Sequence, residues 1–169
     1  EVLQDLVTAA QYTELGRRYH YDRLFSVKSF KEAVPIHEYE DLKPYIDKIL
    51  AGEDSVLWNT PVEWFAKSSG TTNDKSKFIP LTSESIEENH FHGSKDVLTI
   101  YYSALPDSDL LMGKGLVIGG SHQVHPLEEN FQYGDLSAVL LQNSPFWSSF
   151  IRTPELSIAL MDEWENKIE

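Results

Sequence analysis

Apolar residues recur at helical spacing from the start of the chain. Val2, Leu3, Leu6, Val7 and Ala10 share a face, and Gly16 with Arg17-Arg18 read as stop signals, so the pattern predicts one helix packing a single side. Ser29-Phe30-Lys31-Glu32 begins a short turn or helix that Pro35 ends, because the residue before a proline avoids the helical region. Tyr39 to Leu50 forms a second amphipathic helix. Its apolar side carries Tyr39, Leu42, Tyr45, Ile46, Ile49 and Leu50, and Gly52 follows its end. The period then shortens. Val62-Glu63-Trp64-Phe65-Ala66 is aromatic and β-branched and predicts a strand. Phe78-Ile79-Pro80-Leu81 predicts another, and Pro80 implies a sheet edge or a strand end.

Beyond them, Thr82 or Ser83 is suited to cap a long helix reaching Tyr102, with Glu84, Glu87 and Glu88 near its positive end. Its apolar stripe is Ile86, His90, Gly93, Val97, Ile100 and Tyr101, which makes His90 a hydrogen-bonded core histidine rather than a metal ligand. Leu116-Val117-Ile118 predicts a strand buried on both faces, and Gly119-Gly120-Ser121 opens a loop after it. Leu136 to Gln142, Phe146 to Ile151 and Glu155 to Ile168 read as three helical pieces broken by Pro145 and Pro154, with Phe146, Trp147 and Phe150 as a helix–helix anchor. The sum is an α/β fold, a mixed sheet with flanking helices and no internal boundary. Three strands are few for a closed α/β domain, so the expectation is part of a larger fold.

Composition narrows the partners. The 169 residues are 41% hydrophobic, with eight Phe, eight Tyr and four Trp, enough bulk for a core. Formal charge is -13: residues 1–77 hold 10 basic and 13 acidic groups, whereas residues 78–169 hold 4 and 14. Such a surface repels phosphodiester backbones and anionic lipid, so neither nucleic acid nor membrane is an expected partner. Cysteine is absent, which excludes disulfides, zinc-thiolate sites and thiol nucleophiles. Neither a signal-peptide core in residues 1–20 nor a long apolar run is present, so the expected location is the cytoplasm.

The chemistry concentrates in Lys67-Ser68-Ser69-Gly70-Thr71-Thr72-Asn73-Asp74-Lys75-Ser76-Lys77. Four hydroxyls around a glycine offer side-chain and backbone donors, and three lysines offset the negative field; this suits an anion, and it equally suits a polar hairpin loop. A Walker loop fails. After Gly70 and four residues comes Lys75-Ser76 with no second glycine, and an apolar strand follows where that loop would open a helix.

Ser-Ser-Gly-Thr-Thr followed by lysine resembles the phosphate loop of the adenylate-forming acyl-CoA synthetase and luciferase superfamily. The flanks Val34-Pro35-Ile36-His37-Glu38-Tyr39-Glu40-Asp41, Gly52-Glu53, Leu57-Trp58 and Lys77-Phe78-Ile79-Pro80, with Gly113-Lys114-Gly115-Leu116 further on, are similar to the auxin-responsive acyl-acid amido synthetases, especially their bacterial relatives. The resemblance implies the N-terminal portion of a large ATP-binding domain, without its remaining nucleotide motifs or mobile C-terminal domain. It implies adenylation of a carboxylic acid by ATP with Mg²⁺, then transfer of the acyl group to an amino acid amine. It assigns phosphate contact to Ser68, Ser69, Gly70, Thr71, Thr72 and Lys77, and by looser analogy an acyl-pocket place to His122. Asn73 and Asp74 depart from the family's glycines, and Asp74 brings a negative charge near the phosphates. A rival reading is an acyl-CoA or aryl-acid ligase with the same first step. Another is a non-catalytic interaction module on the same scaffold.

Overall fold

The computed structural model describes residues 2–68, 77–120, 125–128 and 131–168. The chain consists of two compact units, Glu1–Val62 and Glu63–Glu169.

The first unit is helical. Helix α1 (Val2–Ala10) buries Val7 and Ala10, while Val2 and Leu6 of the expected apolar face are exposed. The helix does not run on to Gly16. Thr13, fully buried, donates its hydroxyl proton to the Ala10 carbonyl (2.7 Å) and accepts from the Gly16 amide (3.0 Å), so it closes α1 and caps α2 (Glu14–Arg18). Gly16 is therefore an interior residue of α2 rather than a stop. A Cβ there would lie 2.0 Å from the Ala10 carbonyl oxygen, so only glycine lets the two helices meet this closely. Helix α3 (Val27–Ala33) starts at a reciprocal Ser26–Ser29 capping box. Helix α4 (Tyr39–Leu50) matches its predicted span and buries Tyr45, Ile46 and Ile49. It is tied to α2 by the Lys48 ammonium on both carboxylate oxygens of Glu14, each 2.7 Å, and by the Arg18 guanidinium donating to the Tyr45 hydroxyl at 2.7 Å.

The second unit holds the sheet. Strands β1 (Trp64–Ser68) and β2 (Lys77–Leu81) pair antiparallel. Strand β2 lies at an edge of the four-stranded sheet, as Pro80 implied. Thr82, not Ser83, caps the following helix: its hydroxyl accepts from the Ser85 amide and its own amide donates to the Ser85 hydroxyl, both at 3.1 Å. That helix is wound as π over Ser85–Phe91 and continues as α5 (His92–Ala104). Five-residue spacing in the π segment breaks the 3.6-residue phase of the expected stripe. Ile86 is buried, but His90, Val97 and Ile100 are exposed, so His90 is not a core histidine; its ring meets Phe91 edge-on instead.

The expected strand at Leu116 is reduced to β3 (Gly115–Leu116). It pairs in parallel with β6 (Arg152–Thr153), a ribbon separate from the main sheet. Leu116 is 71% exposed and Val117 is exposed as well, which overturns burial on both faces. The loop after Gly120 contains two strands that the sequence reading missed, β4 (His125–Glu128) and β5 (Phe131–Asp135). Strand β5 pairs with β4 antiparallel and with β1 in parallel, so the sheet is mixed. Helix α6 (Leu136–Gln142) has its predicted bounds. Phe146–Phe150 forms a 3₁₀ turn whose Phe146, Trp147 and Phe150 are exposed, so it anchors no described helix. The last predicted helix is two, α7 (Leu156–Ala159) and α8 (Trp164–Ile168).

The core of this unit is Trp64, Ile86 and Val139, bordered by Leu81, Phe91 and Leu140. Trp64→Ala removes its central ring and is expected to lower unfolding free energy by about 3–5 kcal/mol in urea titration. Gly16→Ala is expected to destabilise the helical unit by about 1–3 kcal/mol despite alanine's better helix propensity, because the methyl meets backbone. Melting of the variant above the parent would refute that contact.

Candidate functional site

Strand register brings the two described ends of the lysine-flanked loop together. Ser68, the last residue of β1, stands opposite Lys77, the first of β2, and Lys67 stands opposite Phe78. Directly opposed residues in an antiparallel pair have Cβ atoms about 5 Å apart, so Ser68 and Lys77 begin and end the connection as cross-strand neighbours. Alternation along the strands puts Ser68 and Lys77 on the face that carries Trp64 and Leu81. Lys67 lies on the opposite face with Phe65, which is fully buried, and Phe78, whose ring meets Tyr133 edge-on at 5.6 Å. Ser68 is half-buried; Lys67 and Lys77 are exposed. Ser69, Gly70, Thr71 and Thr72 lie outside the described residues, as does His122.

Parallel pairing of β1 with β5 turns both carboxyl ends to the same edge of the sheet, the edge where open α/β sheets bind ligands. There Lys67 is in register with Asp135, the last residue of β5. Gly120 sits against the same carboxylate: a Cβ on it would be 2.4 Å from Asp135 Oδ2. Asp135 escaped the sequence reading because its strand did. The available signal was the aromatic–polar alternation Phe131-Gln132-Tyr133 ahead of an acidic residue that opens a helix.

The cations of this unit cluster in sequence around the β1–β2 connection. Lys67, Lys75 and Lys77 are three of the seven Lys and Arg residues in Glu63–Glu169, and they lie within eleven positions. A hydroxyl paired with a lysine point charge suits a phosphate, which demands no bidentate fork. A cavity of about 360 Å³ near α6 and α7 is lined by Gln142, Leu156, Ser157, Leu160, Met161 and Asp162, and offers a carboxylate but no cation. Among the described residues no group of three or more His, Asp or Glu side chains is placed to hold a metal ion, and no helix is long and apolar enough to cross a membrane.

Comparison with known proteins shows the family. The chain is 34% identical over 119 residues to an indole-3-acetic acid-amido synthetase of Arabidopsis thaliana (GH3.2), covering 69% of this chain and 21% of that protein. It is 44% identical over 61 residues to a jasmonoyl–L-amino acid synthetase of Nicotiana attenuata (JAR6), covering 36% and 10%. The solved GH3.15 acyl acid amido synthetase superposes with a TM-score of 0.73 at 23% identity, over 94% of this chain and 27% of that one, and so shares the mixed α/β fold. The chain thus spans about a quarter or less of the length of these relatives. The GH3 family N-terminal domain matches residues 1–169 from end to end, and the chain belongs to that family.

Proposed function

We propose that this chain supplies the triphosphate-holding strand–loop–strand of an ATP-dependent acyl-acid amido synthetase, as the N-terminal portion of its large ATP-binding domain. The observation that carries the reading is the Ser68–Lys77 register, which closes the hydroxyl-rich segment with a cation beside its first hydroxyl. In the first step a carboxylate oxygen of the acid attacks the α-phosphorus of ATP, and the bond to the bridging oxygen breaks, releasing pyrophosphate. An amino acid amine then attacks the acyl carbon; AMP leaves with its oxygen and the nitrogen loses a proton.

Ser68, Ser69, Gly70, Thr71, Thr72 and Lys77 would hold the triphosphate and offset charge that builds on the leaving pyrophosphate, the usual task of pre-set donors. Mg²⁺, when bound, would neutralise phosphate charge, held largely through phosphates and water. His122 is assigned to the acyl pocket. The substrates are a small carboxylic acid and an amino acid, the location is the cytoplasm, and the loop flanks favour the bacterial branch of the family.

The test is ATP-dependent pyrophosphate release by the full-length protein across a panel of carboxylic acids, followed by addition of amino acids or coenzyme A. Amide formation is the expected outcome. A thioester product would instead select the acyl-CoA ligase, and silence without ATP binding would select a non-catalytic module. Lys77→Ala and Ser69→Ala are expected to lower pyrophosphate release about 10²-fold or more with melting temperature unchanged. Full turnover in both would remove the loop from the mechanism.

A further inference from the structure

Lys167, on α8, is 7% exposed, and its ammonium donates to the Gly119 carbonyl oxygen at 3.0 Å. A buried ammonium is costly unless hydrogen-bonded, and an apolar side chain would fill the same space more cheaply. Its partner is informative. The Gly119–Gly120 peptide is held at both ends, by Lys167 on the carbonyl and by the Ser137 hydroxyl, which accepts from the Gly120 amide at 3.0 Å. The Gly119 amide in turn donates to the Ala159 carbonyl at 3.2 Å. Three elements, α6, α7 and α8, therefore fix one turn.

Neither glycine has room for a side chain. A Cβ on Gly119 would lie 2.6 Å from Leu141 Cδ1, and one on Gly120 would strike Asp135. The peptide is thus pressed onto the carboxylate at the end of β5, in register with Lys67 and one residue from Ser68.

We propose that Lys167 is a positioning residue for the carboxyl edge of the sheet: by fixing the Gly119–Gly120 peptide it limits where the Asp135 side chain can lie, and with it the negative charge at the end of β5, beside the segment proposed to hold the triphosphate. This rests on the ligase reading above. The proposed action of Lys167 runs through the Gly119–Gly120 peptide.

The experiment uses the full-length protein and compares Lys167→Met, Lys167→Arg and Ser137→Ala. In Lys167→Met the KM for ATP in pyrophosphate release should rise about tenfold or more, the scale of loss that a displaced positioning group produces. The KM for the carboxylic acid and the melting temperature should stay near the parent's. Lys167→Arg should restore the ATP KM, since it keeps a cationic donor. Ser137→Ala frees the same peptide at its amide, and should shift the ATP KM in the same direction even if Lys167→Met fails to fold. Amide hydrogen exchange at Gly120 should quicken in both Lys167→Met and Ser137→Ala. A lower melting temperature and kcat at unchanged ATP KM would overturn the proposal in favour of a structural lysine, as would parent kinetics in every variant. A parent protein that neither binds nor uses ATP would sink the ligase reading instead, and unchanged Gly120 exchange would then dispose of the clamp on its own.

Discussion

Strand β1 is the constraint on which the second unit depends. It pairs antiparallel with β2 on one side and in parallel with β5 on the other. The antiparallel partner supplies the closed connection from Ser68 to Lys77. The parallel partner supplies direction, because two strands running the same way deliver their carboxyl ends to one edge. Trp64 and Ala66 on one face and Phe65 on the other are all buried, so this strand has little freedom to slip. A shift of one residue would exchange its faces, take Trp64 away from Ile86 and Val139 and carry Ser68 out of register with Lys77.

Charge acts here on two length scales. A formal charge of -13 governs what approaches the molecule from afar, while an anion held at the proposed site would answer to the lysines nearest it in the chain, at positions 67, 75 and 77. At physiological ionic strength the screening length is about 8 Å, so a phosphate at the hairpin senses the adjacent ammonium groups far more than the remote carboxylates. That separation lets an acidic chain hold an acidic ligand. It also gives a carboxylate such as Asp135 weight, since a charge within the screening length is not averaged away.

How much was legible in the sequence followed from how local each signal was. Helices α4 and α6 and strand β2 are specified by residues within their own span, and their predicted bounds lie within one residue of the observed ones. The break at Thr13 was hidden, because a buried threonine ending one helix and capping the next looks in sequence like one more polar position. Strand β5 was hidden too. Its Gln132 and Gly134 carry no β signal, and it is a strand because β1 and β4 pair with it. At the site, the phosphate-loop composition could be read directly, whereas Asp135 and Lys167 owe their places to contacts with Gly120 and Gly119, residues remote in the chain.

The two neighbours of β1 also differ in when they can be joined. Closing Ser68 to Lys77 needs only a short loop and can occur within microseconds, but a two-stranded hairpin is marginal in water by itself. The partner that secures it, β5, pairs Trp64 with Gln132, a contact that must close a far longer stretch of chain and bears the corresponding entropic cost. On a ribosome, the cationic hairpin therefore emerges well before the strand that gives it a carboxyl edge. Completion of this carboxyl edge is thus a long-range event, which bears the loop-closure cost of docking β5 as well as that of the short connection from Ser68 to Lys77.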